Sequence, residues 1–265
     1  MELHLENKVV AITGGAGGIG LEVALAFARE GCKVAICDLS DAGLQSASAR
    51  FKEENYTLYT ENVNLQRPED ITRFVNNVYE TFGHLDVWIN NAGVNRTKPF
   101  KEVTLEDWDF IFNTDVRPVF WATQVVSDIM KKQGGGVIIN TASYSGIMGT
   151  SRAVPYSAAK AAVLSMTKTT AGALAPHNIR VNAVVPATVR TGIVATRIQT
   201  PEDERKLAAR MALQRIAEPN ELAPAYTFLA SEASSYITGA TIEVTGGKYC
   251  IQDVTAPWDL CAKQD

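Results

Sequence analysis

At 265 residues, with 20% charged and 46% hydrophobic side chains, the chain has the make-up of one globular domain large enough to bury a substantial core. A formal charge of −4 with no basic cluster argues against nucleic acid or an anionic membrane as partner, and no apolar run reaches the length of a membrane span. Cys32, Cys37, Cys250 and Cys261 form neither a C-x-x-C motif nor a disulfide framework, and His4, His84 and His177 lack metal-ligand spacing, so no metal is expected. The opening Met1 to Glu6 does not read as a signal peptide, and a cytoplasmic protein is expected.

In chain order, Val9 to Thr13 is a short continuous apolar run of the kind that forms a buried parallel strand. It leads straight into Gly14-Gly15-Ala16-Gly17-Gly18-Ile19-Gly20 and then a helical pattern from Leu21 to Glu30, closed by Gly31. Strand, glycine turn and helix form the context of a dinucleotide site. Glycines let the backbone approach a pyrophosphate, and the helix N-terminus offers free N–H groups and a positive dipole end. A second strand, Lys33 to Cys37, ends at Asp38, 18 residues past Gly20. A carboxylate there accepts hydrogen bonds from both hydroxyls of an adenosine ribose and repels a 2′-phosphate. No Arg or Lys stands in the glycine loop and Leu39 follows the acid, so NAD is expected rather than NADP. The competing role for Asp38, a cap on the next helix, is one that Ser40 fills equally well.

A helix over roughly Asp41 to Glu54, a strand near Thr57 to Glu61, and a helix from Pro68 to Phe82 follow, the last with Ile71, Phe74, Val75 and Val78 on one face. Leu85 to Ile89 reads as a fourth strand and runs into Asn90-Asn91-Ala92-Gly93. One long helix is expected from Thr104 to about Lys132, kinked at Pro118. Gly134 to Gly136 end it and start the strand Val137 to Asn140, which delivers Ser143 to the carboxyl edge of the sheet. Pro155 opens a helix running through Leu174, on which Tyr156 and Lys160 are four apart and share a face. A phenol titrates near 10, and a fixed ammonium beside it favours the phenolate, so the pair suits proton exchange. Asn178 to Val185 is the next strand and ends at Pro186-Ala187. A charged stretch from Thr188 to Gln214, a helix from Glu218 to Ser231 and a strand from Thr238 to Val244 complete the pattern. The alternation indicates an α/β fold, a Rossmann-like doubly wound parallel sheet of about seven strands flanked by helices, in a single domain.

A serine followed 13 residues later by Tyr-x-x-x-Lys, preceded by Thr13-Gly14-x-x-x-Gly18-Ile19-Gly20 and Asn90-Asn91-Ala92-Gly93, resembles the short-chain dehydrogenase/reductase family from Asn7 to about Gly247. The resemblance implies reversible hydride transfer between NAD(H) and a secondary alcohol or ketone. In it Tyr156 exchanges the proton, Lys160 lowers the phenol pKa and binds the nicotinamide ribose, and Ser143 holds the substrate oxygen. It places Gly14, Gly18, Ile19, Gly20, Asp38, Asn62, Val63, Asn90, Ala92, Gly93, Pro186, Val189 and Thr191 around the cofactor together with Tyr156 and Lys160. Within that set Asn62-Val63 would meet the adenine, and the Val189 main chain and Thr191 hydroxyl the nicotinamide carboxamide. It further implies a homotetramer or homodimer with the helices carrying Asp115 and Tyr156 at subunit contacts, and a substrate lid over 188–214.

Four positions depart from the family pattern: Asn62 and Thr245 replace acids, Asp115 replaces an asparagine of the catalytic relay, and Ala187 replaces a glycine, which is tolerable at negative φ. Tyr144, Ser145, Ile147, Met148, Ser151 and Arg152 on one wall and Val94, Asn95 and Arg96 on another are the candidate substrate contacts. Arg190 and Arg197 of the lid either recognise the substrate or are solvated. These polar groups point to a small hydroxylated, sugar- or polyol-like substrate, with a 3-oxoacyl thioester or a steroid as the alternative. A non-catalytic NAD-binding regulatory protein is the rival from another class. The tail from Lys248 to Asp265 carries no motif and is a candidate subunit contact.

Overall fold

A computed structural model of the chain describes residues 2–195 and 198–261. Seven parallel strands form one sheet in the order β3-β2-β1-β4-β5-β6-β7: β1 Val9–Thr13, β2 Lys33–Asp38, β3 Leu58–Asn62, β4 Val87–Asn90, β5 Gly136–Thr141, β6 Ile179–Pro186 and β7 Thr241–Val244. The strand order reverses between β1 and β4, so the loops leaving these two neighbours diverge and open a crevice at the carboxyl edge.

Alternate residues of each strand face opposite layers, and both layers are apolar, which is why the strands read as continuous hydrophobic runs. Val10, Ile12, Ile36, Ile89 and Ile139 pack against α1 (Gly18–Arg29), α2 (Asp41–Glu53) and α9 (Ala223–Ala230). Val9, Ala11, Trp88, Ile138 and Val181 pack against α3 (Pro68–Phe82), α5 (Arg117–Gln133) and α6 (Val154–Leu174). The predicted face of α3 is the buried one: Ile71, Phe74, Val75 and Val78 are all nearly inaccessible.

The single kinked helix expected from Thr104 to Lys132 is instead two helices, α4 (Leu105–Asp115) and α5. Thr104 caps α4 in a reciprocal box with Asp107. Pro118 has no N–H to donate, and its ring would collide with a carbonyl one turn back in a continuous helix. The chain breaks at Val116 (φ −117°, ψ −57°) and places Pro118 in the first turn of α5. The helix expected from Glu218 to Ser231 likewise resolves into a 3₁₀ turn, Pro219–Glu221, and α9. The lid region holds two short helices, α7 (Gly192–Ala195) and α8 (Pro201–Ala208).

The tail folds back on the lid. Leu213 N–H donates to the Gly246 carbonyl at 3.1 Å, Tyr249 N–H to Arg210 at 3.3 Å, and Trp258 Nε1 to the Ala212 carbonyl at 2.7 Å. A last short helix, α10 (Ala256–Cys261), ends the described chain. Among the described residues no helix is long and apolar enough to cross a membrane.

Candidate active site

The crevice holds about 540 Å³ and is lined by the loops that leave β1 to β6, by α4 and α6, and by the start of the lid. Its floor is the glycine loop. Gly14 lies at φ +63°, and a Cβ there would come within 2.8 Å of the Ala92 Cα. A side chain on Gly20 would strike the Gly14 carbonyl. Gly18, at φ +54°, faces Thr191 of the lid, whose Cγ2 would be 3.2 Å from an added Cβ. Residues with side chains would fill the space where this backbone turns, which is the physical reason for the glycines. Thr13 Oγ1 accepts from the N–H groups of Asn91 and Ala92, and the Asn91 amide donates to the Thr13 and Gly14 carbonyls, so the loops of β1 and β4 are stapled together.

Helix α1 starts at Gly18 without a side-chain cap and without an acid in its first turn, leaving its positive end facing the crevice. Asp38 stands at the adjoining wall. Its carboxylate accepts from Ala16 N–H at 3.2 Å and from Ser40 N–H at 3.1 Å, one bond per oxygen, so acceptor capacity is left for a ligand. Ser40, not Asp38, caps α2, its Oγ accepting from Gly43 N–H at 3.0 Å. A dinucleotide fits this outline: backbone amides and a bare helix end for a pyrophosphate, and a carboxylate beyond it for ribose hydroxyls.

The reacting side chains come from β5, α6 and α4. Ser143 follows β5 in extended conformation (φ −163°, ψ 153°), and its Oγ accepts from Ser145 N–H at 3.1 Å, which leaves its own proton to donate. Gly146 lets this loop pack against α6, because a Cβ there would lie 2.7 Å from the Lys160 backbone. Pro155 sits in the first turn of α6, and Tyr156 and Lys160 follow on one face of it. Lys160 is 3% exposed; its Nζ donates to the Thr141 carbonyl at 3.3 Å and lies 5.6 Å from the Tyr156 ring centre.

Asp115, 0% exposed, closes the group from α4. Its Oδ1 accepts from Val94 N–H at 2.8 Å and its Oδ2 is 3.2 Å from Lys160 Nζ. The second contact is an ion pair without the alignment of a hydrogen bond. Burial is the largest influence on Lys160 and disfavours its ammonium, but Asp115 and then Tyr156 outweigh it, so its pKa lies above the ordinary lysine value. Burial also raises the Asp115 pKa, against the pull of Lys160 and of Val94 N–H.

Of the residues singled out from sequence, Gly14, Gly18, Ile19, Asp38, Val63, Ala92, Gly93, Ser143, Tyr156, Lys160, Pro186, Val189 and Thr191 line the crevice. Gly20 lies behind the glycine loop, and Asp115 stands behind Lys160. Asn62 and Asn90 do not line it. The Asn62 amide donates to Asp41 at 2.7 Å and to the Leu39 carbonyl at 3.1 Å, fixing the turn after β2. Asn90 is buried, accepting from Trp88 Nε1 and donating to Asn140, whose amide reaches Thr167 on α6. Ala187 lines the crevice without adopting a positive φ, so the backbone accommodates a side chain there.

Of the polar substrate contacts expected from sequence, Asn95, Arg96, Tyr144, Ser145, Ser151 and Arg152 are not among the residues that line the crevice. Arg96 lies over the Phe110 ring at 3.6 Å and pairs with Asp107, and Arg190, for which solvation was the other reading, is exposed and pairs with Glu204 and Glu218. Arg197 lies outside the described residues. Among the expected contacts Val94 lines the crevice, joined by Phe110, Thr114, Ile193 and Val194, which sequence reasoning did not single out. Leu65 and Gln66 were also missed; the signal for them was their place just past the carboxyl end of β3, where ligands of such sheets bind. No three His, Cys, Asp or Glu side chains among the described residues come together as a metal site.

A family model described as enoyl-(acyl carrier protein) reductase matches residues 14–248. The chain is 39% identical to the 3-oxoacyl-(acyl-carrier-protein) reductase FabG of Thermotoga maritima over 92% of its own length and 99% of that protein. It is 37% identical to a 3alpha-hydroxysteroid dehydrogenase of Mediterraneibacter gnavus, over 93% of this chain and 98% of the other. The crystal structure of a short-chain type dehydrogenase/reductase from Mycobacterium marinum superposes with a TM-score of 0.88 at 34% identity, covering 94% of this chain and 98% of that one. Together with the crevice built by Ser143, Tyr156 and Lys160 over a glycine loop, these matches along nearly the whole length make the chain a member of the short-chain dehydrogenase/reductase family of oxidoreductases.

Proposed function

We propose that the chain is an NAD(H)-dependent oxidoreductase that interconverts a secondary alcohol and a ketone. The observation that carries this reading is the buried Lys160 ammonium one helical turn beyond Tyr156, in a crevice that Ser143 and the glycine loop also line. When bound, the nicotinamide cofactor supplies the hydride for carbonyl reduction or accepts it in alcohol oxidation. Gly14, Gly18, Ile19 and the start of α1 would hold its pyrophosphate, and Asp38 its adenosine ribose, where a 2′-phosphate would meet a negative charge.

Ser143, with its proton free, donates a hydrogen bond to the substrate oxygen and orients it. Tyr156 gives its phenolic proton to that oxygen in reduction and takes it back in oxidation. Lys160, held by the Thr141 carbonyl and Asp115, stabilises the phenolate that forms.

For the substrate skeleton, the lining favours apolar surface over a polyol. Val94, Phe110, Ala187, Ile193 and Val194 face the crevice, while Arg96 and Arg190 are engaged in ion pairs. A ring ketone, steroid or 3-oxoacyl chain suits that lining better than a sugar, in keeping with the substrates named for two of the relatives. Self-association into a homotetramer or homodimer is supported by exposed Leu105, Trp108 and Phe120 on α4 and α5, and light scattering of the purified chain tests it.

The reading is tested by assaying a panel of apolar ketones, oxoacyl thioesters and sugars with NADH and NADPH in parallel. Turnover of an apolar ketone with NADH is expected. Absence of turnover throughout the panel, or strong preference for NADPH, contradicts it.

A further inference from the structure

The reaction as outlined leaves unexplained why Asp115 is an acid. It is the last residue of α4, so its carboxylate lies at the negative end of the helix dipole, and it is fully buried. Both circumstances disfavour a charge there. An asparagine would accept the same hydrogen bond from Val94 N–H and carry no charge. The counterpart that the charge does have is Lys160, at 3.2 Å. Gly93 passes directly over the pair: a Cβ on it would lie 2.9 Å from both Asp115 Oδ2 and Lys160 Nζ, so the glycine lets the loop after β4 cover the two groups.

We propose that Asp115 is a positioning residue that fixes Lys160 and cancels part of its charge, so that the field Lys160 exerts on Tyr156 is weaker than that of a lone ammonium. This rests on the reading that Tyr156 exchanges the proton. The groups facing Lys160 are Asp115 from α4, the Thr141 carbonyl from β5 and Tyr156 from α6 itself; those facing Asp115 are Lys160 and Val94 N–H. The sign follows from these charges. A lone ammonium stabilises the phenolate and lowers the phenol pKa, whereas a carboxylate paired with that ammonium leaves a dipole, whose field at Tyr156 is weaker.

Removing the carboxylate therefore lowers the phenol pKa. Alcohol oxidation needs the phenolate, so its rate rises with pH through that pKa; carbonyl reduction needs the phenol, so its rate falls through it. In Asp115→Asn both limbs move to lower pH, by on the order of one pH unit for a full charge removed at one to two side-chain diameters.

The test compares wild type and Asp115→Asn over about pH 6 to 10, in both directions, with one alcohol/ketone pair and NAD(H). NADH binding followed by fluorescence establishes that the cofactor site is intact. Downward movement of both limbs is expected. Limbs that stay in place while kcat drops, or that move upward, overturn the proposal and leave Asp115 a structural residue. Should the asparagine variant not fold, Asp115→Ser removes the same charge and carries the same expectation. The Tyr156→Phe variant separates the two levels: if it retains turnover, the assignment of Tyr156 itself fails, whereas loss of turnover there with unmoved limbs in the Asp115 variants sinks the present inference alone.

Discussion

Replacing Lys160 by methionine removes the ammonium that stands 3.2 Å from the Asp115 carboxylate and keeps most of the side-chain volume. What is left is a buried acid at a helix C-terminus with Val94 N–H as its remaining hydrogen-bond donor. Breaking a buried ion pair from one side typically costs about 3–5 kcal/mol, because the surviving charge is neither solvated nor paired. The bond to the Thr141 carbonyl, about 1 kcal/mol when lost, falls within that range. For a chain of this size each kcal/mol corresponds to roughly 2 °C, so Lys160→Met should melt on the order of 6–10 °C below wild type. Because burial without the lysine raises the Asp115 pKa further above its unfolded value, the acid is accommodated better once protonated. The deficit should therefore be smaller at low pH and grow as pH rises through the folded-state pKa. The double variant Asp115→Asn/Lys160→Met, with no charge to strand, should regain most of the loss. Thermal melts and urea titrations of the four proteins form a double-mutant cycle. A single variant that loses less than about 1 kcal/mol, or a double variant no more stable than the single, would refute the reasoning that these two charges hold each other.

Asp38→Asn should narrow the preference for NADH over NADPH by at least about tenfold in kcat/KM, since it removes the charge that repels a 2′-phosphate and retains an acceptor for Ala16 N–H; an unchanged ratio counts against its placement at the ribose. Gly18→Ala puts a Cβ 3.2 Å from Thr191 Cγ2 at φ +54°, between the glycine loop and the lid, and should weaken NADH binding by roughly tenfold in a fluorescence titration; undiminished affinity argues against a cofactor on that loop. Cys250 and Cys261 are exposed, whereas burial pushes the Cys32 thiol up to about 12 and holds Cys37 well above its ordinary value. Alkylation of the native protein followed by mass spectrometry should therefore modify Cys250 and Cys261, with Cys32 and Cys37 following only in denaturant.

What could be read from the chain alone was whatever depends on neighbours in sequence. The continuous runs Val9–Thr13 and Val137–Asn140 had to be buried parallel strands, and the glycines after the first had to turn where side chains do not fit. Tyr156 and Lys160 share a face because a helix repeats every 3.6 residues, and Ser143 follows a strand whose end lies at the crevice. The side chains hardest to place from sequence are those whose partners are distant in the chain. The Asn62 amide turned to Asp41, Arg96 to Asp107 and Phe110, and Arg190, left open between substrate and solvent, to Glu204 and Glu218. No local pattern announced those pairings, and the apolar lining by Phe110, Ile193 and Val194 was hidden for the same reason. The break at Val116 was legible in principle, since Pro118 suits the first turn of a new helix better than the interior of an old one.

The central claim is that Tyr156 carries the proton. Tyr156→Phe keeps the ring, leaves Ser143, Lys160 and the glycine loop in place, and removes the hydroxyl. Measured with NADH and a ketone that the wild type reduces, this variant should bind NADH with unaltered affinity and lose at least about a thousandfold in kcat, within the range general acid catalysis supplies. Turnover near the wild-type rate with the hydroxyl gone would contradict the account.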